Sequence, residues 1–256
     1  MKLTNLSKPY IFIGKTLFFP EKGILAIGDL HLGFEYMLQQ SGVLVPERQV
    51  KEIIEELKEV FDVIKSNNMK LKKIVFLGDL KHSFSYQKKE KDYFKQVIIF
   101  LKRYIDEKNI MLIKGNHDTI DYSFQDKLKD YFIDKDIIFI HGHELFPEIL
   151  NKKIKTIIMG HLHPAIIISD NQGVKMEKYK CVLLGKFKLK NVIILPSFLS
   201  TVGGTTINDI QETYENHFSI IPIKNLVNFD IYVIGNKEVY NFGKIKNLEP
   251  LNIKKK

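Results

Sequence analysis

Gly28-Asp29-Leu30-His31-Leu32-Gly33 follows directly on the apolar run Ile24-Leu25-Ala26-Ile27. A buried strand that ends in Gly-Asp-x-His sets a carboxylate and an imidazole together at a tight turn. Both are good ligands for a divalent cation of intermediate hardness. The same grammar recurs four times. Ile74–Leu77 leads into Gly78-Asp79-Leu80-Lys81-His82-Ser83, and Met111–Ile113 into Lys114-Gly115-Asn116-His117-Asp118. Ile137–Ile140 ends in His141-Gly142-His143-Glu144, and Thr156–Met159 in Gly160-His161-Leu162-His163-Pro164.

Helical patterns lie between these strands. Phe34 to Gln40 reads as a short helix. A longer one begins after Pro46, with Val50, Ile53, Ile54, Leu57, Val60, Phe61 and Ile64 at helical spacing. Tyr93, Val97, Ile98, Leu101 and Ile105 mark another, and Phe124, Leu128 and Tyr131 a further helical segment. Tyr10–Ile13 and Thr16–Phe19 flank Gly14-Lys15 as an opening hairpin. Beyond Pro164 helical periodicity fades. Ala165–Ile168, Cys181–Leu184, Val192–Leu195, Ser219–Ile221, Ile231–Ile234 and Val239–Phe242 read as short strands. The expected fold is α/β, a four-layer α-β-β-α sandwich of two packed mixed sheets flanked by helices. Nothing divides the chain, so residues 1–256 are expected to form a single domain, with about 245–256 as a frayed basic tail.

Composition narrows the function classes. The 256 residues suffice for a large core, and 45% are hydrophobic and 27% charged, as in ordinary globular proteins. No stretch reads as a membrane span, and Met1–Lys8 has no secretory apolar core, so a cytoplasmic location is expected. The single cysteine, Cys181, lies in an apolar run and reads as a buried thiol. The net charge of +9 favours a polyanionic partner. That charge is scattered lysine, with Arg48 and Arg103 the only arginines, so it gives weak support to a phosphate-bearing substrate.

Strands joined by helical crossovers open their carboxyl ends on one edge. Gathered there, Asp29, His31, Asp79, Asn116, His141, His161 and His163 offer carboxylate, amide and imidazole donors without thiolate. Such a set suits paired divalent ions, with Mn²⁺ the first expectation and Fe²⁺ or Zn²⁺ the others. Two cations about 3.5–4 Å apart can clamp a phosphate and activate water. Singly, each aspartate after glycine could cap a helix or shape a turn. Five of the eight histidines, His31, His117, His141, His161 and His163, carry these motifs, which favours ligands over scattered structural residues. Lys81 and His82 are candidates for phosphate contact, with a solvated loop as the alternative. Phe84 and Tyr86 could stack on a base or pack as hinge aromatics. His143 is read as either a supporting or a structural residue.

Taken in order, Asp-x-His, Gly-Asp, Gly-Asn-His-Asp, His and Gly-His-x-His resemble the calcineurin-like metallophosphoesterases from Ile24 to about Gly204. The resemblance implies that Asp29, His31 and His163 hold one metal, that Asn116, His141 and His161 hold the other, and that Asp79 bridges them. It implies that a metal-bridging hydroxide attacks phosphorus. His117 is then the non-ligand histidine that contacts the phosphoryl oxygen and protonates the leaving group, with Asp118 orienting it. Gly42-Val43-Leu44-Val45-Pro46, Gly78–Ser83, Gly160–Pro164 and Leu195-Pro196-Ser197-Phe198 are similar to two subgroups. These are archaeal phosphoesterases related to the SbcD nuclease and bacterial ligase-associated phosphoesterases of the DNA-damage response. Both imply a nuclease acting on DNA in repair. The full break-repair nuclease carries an extra DNA-binding cap after its catalytic domain, whereas the residues that follow Gly204 here are expected to be strands that finish the sheets. Hydrolysis of small phosphate esters or cyclic nucleotides is the alternative, and a non-enzymatic scaffold the third reading.

Overall fold

Apolar runs without a polar face make strands that must be covered on both sides. The computed structural model, which describes residues 8–118, 127–169, 176–209, 219–235 and 238–248, meets that demand with two stacked mixed sheets. The first sheet runs in the order β1 (Ile11–Ile13), β2 (Thr16–Phe19), β3 (Ile24–Ile27), β4 (Lys73–Phe76), β5 (Ile110–Ile113), β6 (Leu128–Lys129). Strands β3 to β6 are parallel. Alternation along β3 assigns the two faces: Ile24 and Ala26 enter the core between the sheets, while Leu25 and Ile27 face the helices. Those helices are α1 (Phe34–Gln40), α2 (Gln49–Ser66) and α3 (Lys88–Leu101). The stripe Ile53, Leu57, Val60, Phe61 and Ile64 of α2 buries against that face.

The second sheet contains β7 (Tyr131–Asp134), β8 (Ile137–Ile140), β9 (Thr156–Met159), β10 (Pro164–Ser169), β11 (Met176–Phe187), β12 (Lys190–Ile194) and β13 (Thr205–Thr206). Its order is β13-β10-β11-β12-β9-β8-β7, and β14 (Asp230–Ile234) joins it through β11, with β15 (Val239–Lys244) outside β14. Strands β8, β9 and β12 are parallel. Ile137, Phe139, Ile158, Val182, Ile193 and Leu195 meet Phe19, Ile24, Val75, Leu77 and Ile113 between the sheets. The expected sandwich is present. Its fourth layer is thin among the described residues: a turn at Pro147–Leu150, a short helix at Ile223–Leu226 and loops around Phe229 cover Ile138, Ile157 and Leu183.

Four local expectations change. Leu128 and Tyr131 lie in strands, because pairing with β5 and β8 overrides the helical spacing; Phe124 is outside the described residues. Ser219–Ile221 forms no strand, and Ile221 instead packs into the outer core of the second sheet. Strand β11 runs far beyond Cys181–Leu184, since its first half pairs with β10 and its second with β12 and β14. Of the expected tail, Ile245–Asn247 forms a 3₁₀ turn whose Ile245 N–H donates to Phe229 O.

Candidate metal centre

The carboxyl ends of β3, β4, β5, β8 and β9 meet at one edge of the sandwich. The first two turns are sewn together by backbone: Leu30 N and His31 N both donate to Asp79 O, at 3.1 and 2.9 Å. Phe198 N donates to Asp29 O at 2.8 Å, which ties in the loop after β12. His31, Asp79, His161 and His163 all take positive φ, between 43° and 65°. Non-glycine residues seldom accept that conformation, and it clusters where a site over-determines it. Gly78, at φ 108°, lets the turns approach: a Cβ there would stand 2.6 Å from His141 Nδ1. A side chain at Gly115 or Gly160 would collide with the carboxylate of Asp79 or Asp29.

Three donor groups result among the described residues: Asp79 belongs to two of them, and His31, His82 and His117 form the third. In one of the two that share Asp79, His31 Nε2 lies 3.2 Å from His163 Nε2 and 3.8 Å from Asp79 Oδ2, and His163 Nε2 touches Asp29 Oδ2. In the other, His141 Nε2 lies 3.0 Å from Asn116 Oδ1, 3.0 Å from His161 Nδ1 and 3.4 Å from Asp79 Oδ2. Donors that share one tetrahedral ion at about 2.1 Å stand about 3.4 Å apart. His141 Nδ1–H donates to Leu77 O at 2.9 Å, which aims Nε2 into the group. Asp29 Oδ1 is buried with no hydrogen-bond partner, an expensive state for a carboxylate oxygen. The residues therefore fit divalent ions.

The charges agree. Burial pushes the Asp29 carboxyl up, but His163 and His141 overcome it and hold it below the usual carboxylate range. Asp79 behaves likewise: burial opposes ionisation, and His141, His31 and His117 outweigh it. Burial and the neighbouring His163 drive His31 down to about 3, which leaves its imidazole neutral and able to ligate. His141 is the exception. Burial opposes its charge, yet Asp79 and Asp29 raise it to about 9, so its proton balances the carboxylates.

The remaining candidates surround these groups. His117 Nε2 is 3.9 Å from Asp79 Oδ2, and His117 Nδ1 donates to the carbonyl of His82. Asp118, expected to orient the His117 ring, accepts backbone N–H groups of Gly115 (2.9 Å), Leu80 (3.0 Å) and Lys81 (3.3 Å) instead. It locks two motif turns together, and burial beside Asp79 raises its carboxyl to about 6. The Lys81 ammonium is engaged by the carbonyls of Ser83 and Ser85 in its own loop. His82 Nδ1 lies 3.5 Å from His31 Nδ1. Burial and His117 lower His82 to about 4. The His143 ring packs 5.1 Å from that of His141, and its buried Nδ1 has no hydrogen-bond partner.

Motif reading misses Gln49. Its Nε2 donates to His31 O (2.7 Å) and Leu30 O (3.3 Å), and its Oε1 accepts from Gly33 N (3.0 Å). One side chain thus clamps the first motif from behind. The available signal was its place: Gln49 falls four residues before Ile53, on the apolar stripe of α2, and is 1% exposed.

Comparison with known proteins follows the same line. No curated protein sequence matches the chain. The structure of the nuclease MPE from Pseudomonas putida aligns over 94% of this chain and 98% of that one, with a TM-score of 0.58 and 15% identity, which shows a shared fold. Zinc-bound Vps29 from Entamoeba histolytica aligns over 85% of this chain and 96% of that one at 15% identity and a TM-score of 0.35. The family model for calcineurin-like phosphoesterases matches residues 23–193, from the start of β3 through β12. The chain belongs to the calcineurin-like phosphoesterases and is a metal-dependent phosphoesterase of that family.

Proposed function

We propose that residues 1–256 act as one catalytic domain that hydrolyses phosphodiester bonds with two divalent ions, and that its substrate is DNA. The reading rests on one observation: Asp79 is shared by two donor groups, and His31 Nε2 of one and His141 Nε2 of the other both approach its Oδ2. Asp29, His31 and His163 would hold one ion and Asn116, His141 and His161 the other, with Asp79 common to both and manganese the expected metal. Such a pair supplies Lewis-acid charge at the phosphoryl oxygens and lowers the pKa of bound water.

The chain's own groups do the rest. His117 spends Nδ1–H on His82 O, so Nε2 is the atom left to move a proton on the Asp79 side. Protonated, Nε2 donates to the phosphoryl or departing oxygen. Asp118 keeps the turns that carry Asp79 and His117 at fixed separation through its three backbone acceptances. The basic net charge and the shared fold of a bacterial nuclease support a nucleic-acid substrate, as do the motif similarities to DNA-acting subgroups.

The test compares manganese-loaded protein on single-stranded and nicked oligonucleotides, a cyclic nucleotide and bis(p-nitrophenyl) phosphate. Cleavage of the oligonucleotides that Asp79→Asn abolishes is the expected result. Turnover confined to the small esters would overturn the DNA assignment, and turnover that survives Asp79→Asn would overturn the centre.

A further inference from the structure

Two lysines converge on the loop that follows β12. Lys15, in the turn between β1 and β2, is buried, and its ammonium donates to Phe198 O and to Ser200 Oγ at 3.0 Å. It also pairs with Glu56 Oε2 of α2 at 2.8 Å. Lys180, half-buried on β11, donates to Ser197 O at 2.8 Å and to Leu199 O. Three successive carbonyls, those of Ser197, Phe198 and Leu199, are thus held by two ammonium groups. Burial and the like charge of Lys15 lower Lys180 to about 7. Cations set so near each other repel, and the carbonyls and Glu56 offset that repulsion.

The loop so held reaches the metal centre at Asp29. Phe198 N, in the middle of the three peptides, donates to Asp29 O at 2.8 Å. Ser197, Phe198 and Leu199 are all buried, so the loop has little room to shift. A Cβ at Gly28 would collide with Pro196 O, which places the loop directly on the backbone before Asp29. Among the described residues, Asp29 belongs to one of the two donor groups that share Asp79, and its Oδ1 has no hydrogen-bond partner. With no bond to fix that oxygen, the main chain of Asp29 governs where it sits.

We propose that Lys15 and Lys180 are positioning residues of the metal centre. They hold the carbonyls of Ser197, Phe198 and Leu199 so that the Phe198 N–H fixes Asp29, and they thereby raise the affinity of the Asp29, His31 and His163 group for its ion. The inference rests on the two-ion reading and adds the support of one ion to it. Groups that orient a ligand without touching the metal change its affinity about 10–100-fold.

Manganese titrations of the metal-free full chain, read by calorimetry and by electron paramagnetic resonance, test this. Wild-type protein is expected to take two ions and give the spectrum of a coupled pair. Lys15→Met and Lys180→Met should each weaken one ion about 10–100-fold and the other by less than about threefold, so that an isolated-ion spectrum replaces the coupled one at equal metal. In an Asp29→Asn background Lys180→Met should have no further effect, which assigns the weakened ion. Lys190→Met is the control. Lys190 is also buried and also holds two carbonyls, of Asn151 at 2.8 Å and Ile154 at 2.6 Å, ahead of β9. Its loss should leave both constants as in wild type. Where a methionine variant does not fold, Glu56→Gln loosens Lys15 at constant side-chain volume and should weaken the same ion by a smaller factor. Unchanged constants in the Lys15, Lys180 and Glu56 variants overturn the positioning role and leave the two-ion reading standing. Equal weakening by Lys190→Met, or a further loss in the Asp29→Asn background, overturns the role as well. A wild-type protein that binds a single ion overturns both.

Discussion

The two ends of the sandwich make opposite use of the same strands. At the amino ends of β8, β9 and β12 a groove of about 730 Å³ opens beside Ile137, Thr156 and Asn191. Lys8, Lys22, Lys186 and Lys244 border it, against Asp136 and Asp230. At the carboxyl ends, six donor side chains gather around Asp79. The groove is large and basic, but its polar groups do not converge; Lys22 pairs with Asp134, and Lys8 lies over the rings of Tyr10 and Tyr232. The crowded end carries the orphaned Asp29 carboxylate oxygen and the strongly shifted His31 and His141. Convergence of donors, not open volume, is what the proposed centre rests on.

That contrast can be broken most sharply at Asp79. Asp79→Ala deprives both donor groups at once, and phosphoesterase turnover should fall by at least about a thousandfold with loss of bound metal. Elemental analysis together with kinetics checks it. His117→Ala comes next: kcat should fall about 10²–10⁴-fold while metal content stays unchanged, because His117 lies outside the two donor groups that share Asp79. Gln49→Ala should weaken metal affinity about 10–100-fold by loosening the His31 turn, with the fold intact by circular dichroism.

Smaller effects refine the contrast. His141 is raised to about 9, so a divalent ion must displace its proton to reach Nε2. Metal affinity should therefore increase as pH rises toward about 9, and binding near pH 7 should release a proton, seen by calorimetry in buffers of different ionisation heat. The metal-free protein shows the converse. The charged His141 contributes stability fully below about pH 6.5, and that contribution is lost as pH climbs through about 9. Thermal melts of chelated protein across that range measure it. At the other end, Lys186→Ala and Lys244→Ala should leave turnover of a small phosphodiester within about twofold, since exposed charges so far from the reaction are largely screened.

Most of the architecture can be read from short-range pattern. Ile24–Ile27, Ile74–Leu77 and Ile137–Ile140 are apolar on both faces, so they need cover on both sides, which two stacked sheets flanked by helices supply. The residues gathered around Asp79 were also legible, because each motif directly follows its strand. What stayed hidden depends on distant partners. Leu128 and Tyr131 keep helical spacing yet pair as strands. The partner of His117 is the carbonyl of His82, which no side-chain motif encodes. Gln49 acts through backbone atoms of Leu30 and His31 nineteen and eighteen positions away.

The central claim is that two divalent ions share Asp79. Anomalous diffraction from crystals grown with manganese measures this directly. The account predicts two peaks, one ringed by Asp29, His31, His163 and Asp79, the other by Asn116, His141, His161 and Asp79. A single peak, or peaks that leave Asp79 unligated, would contradict it.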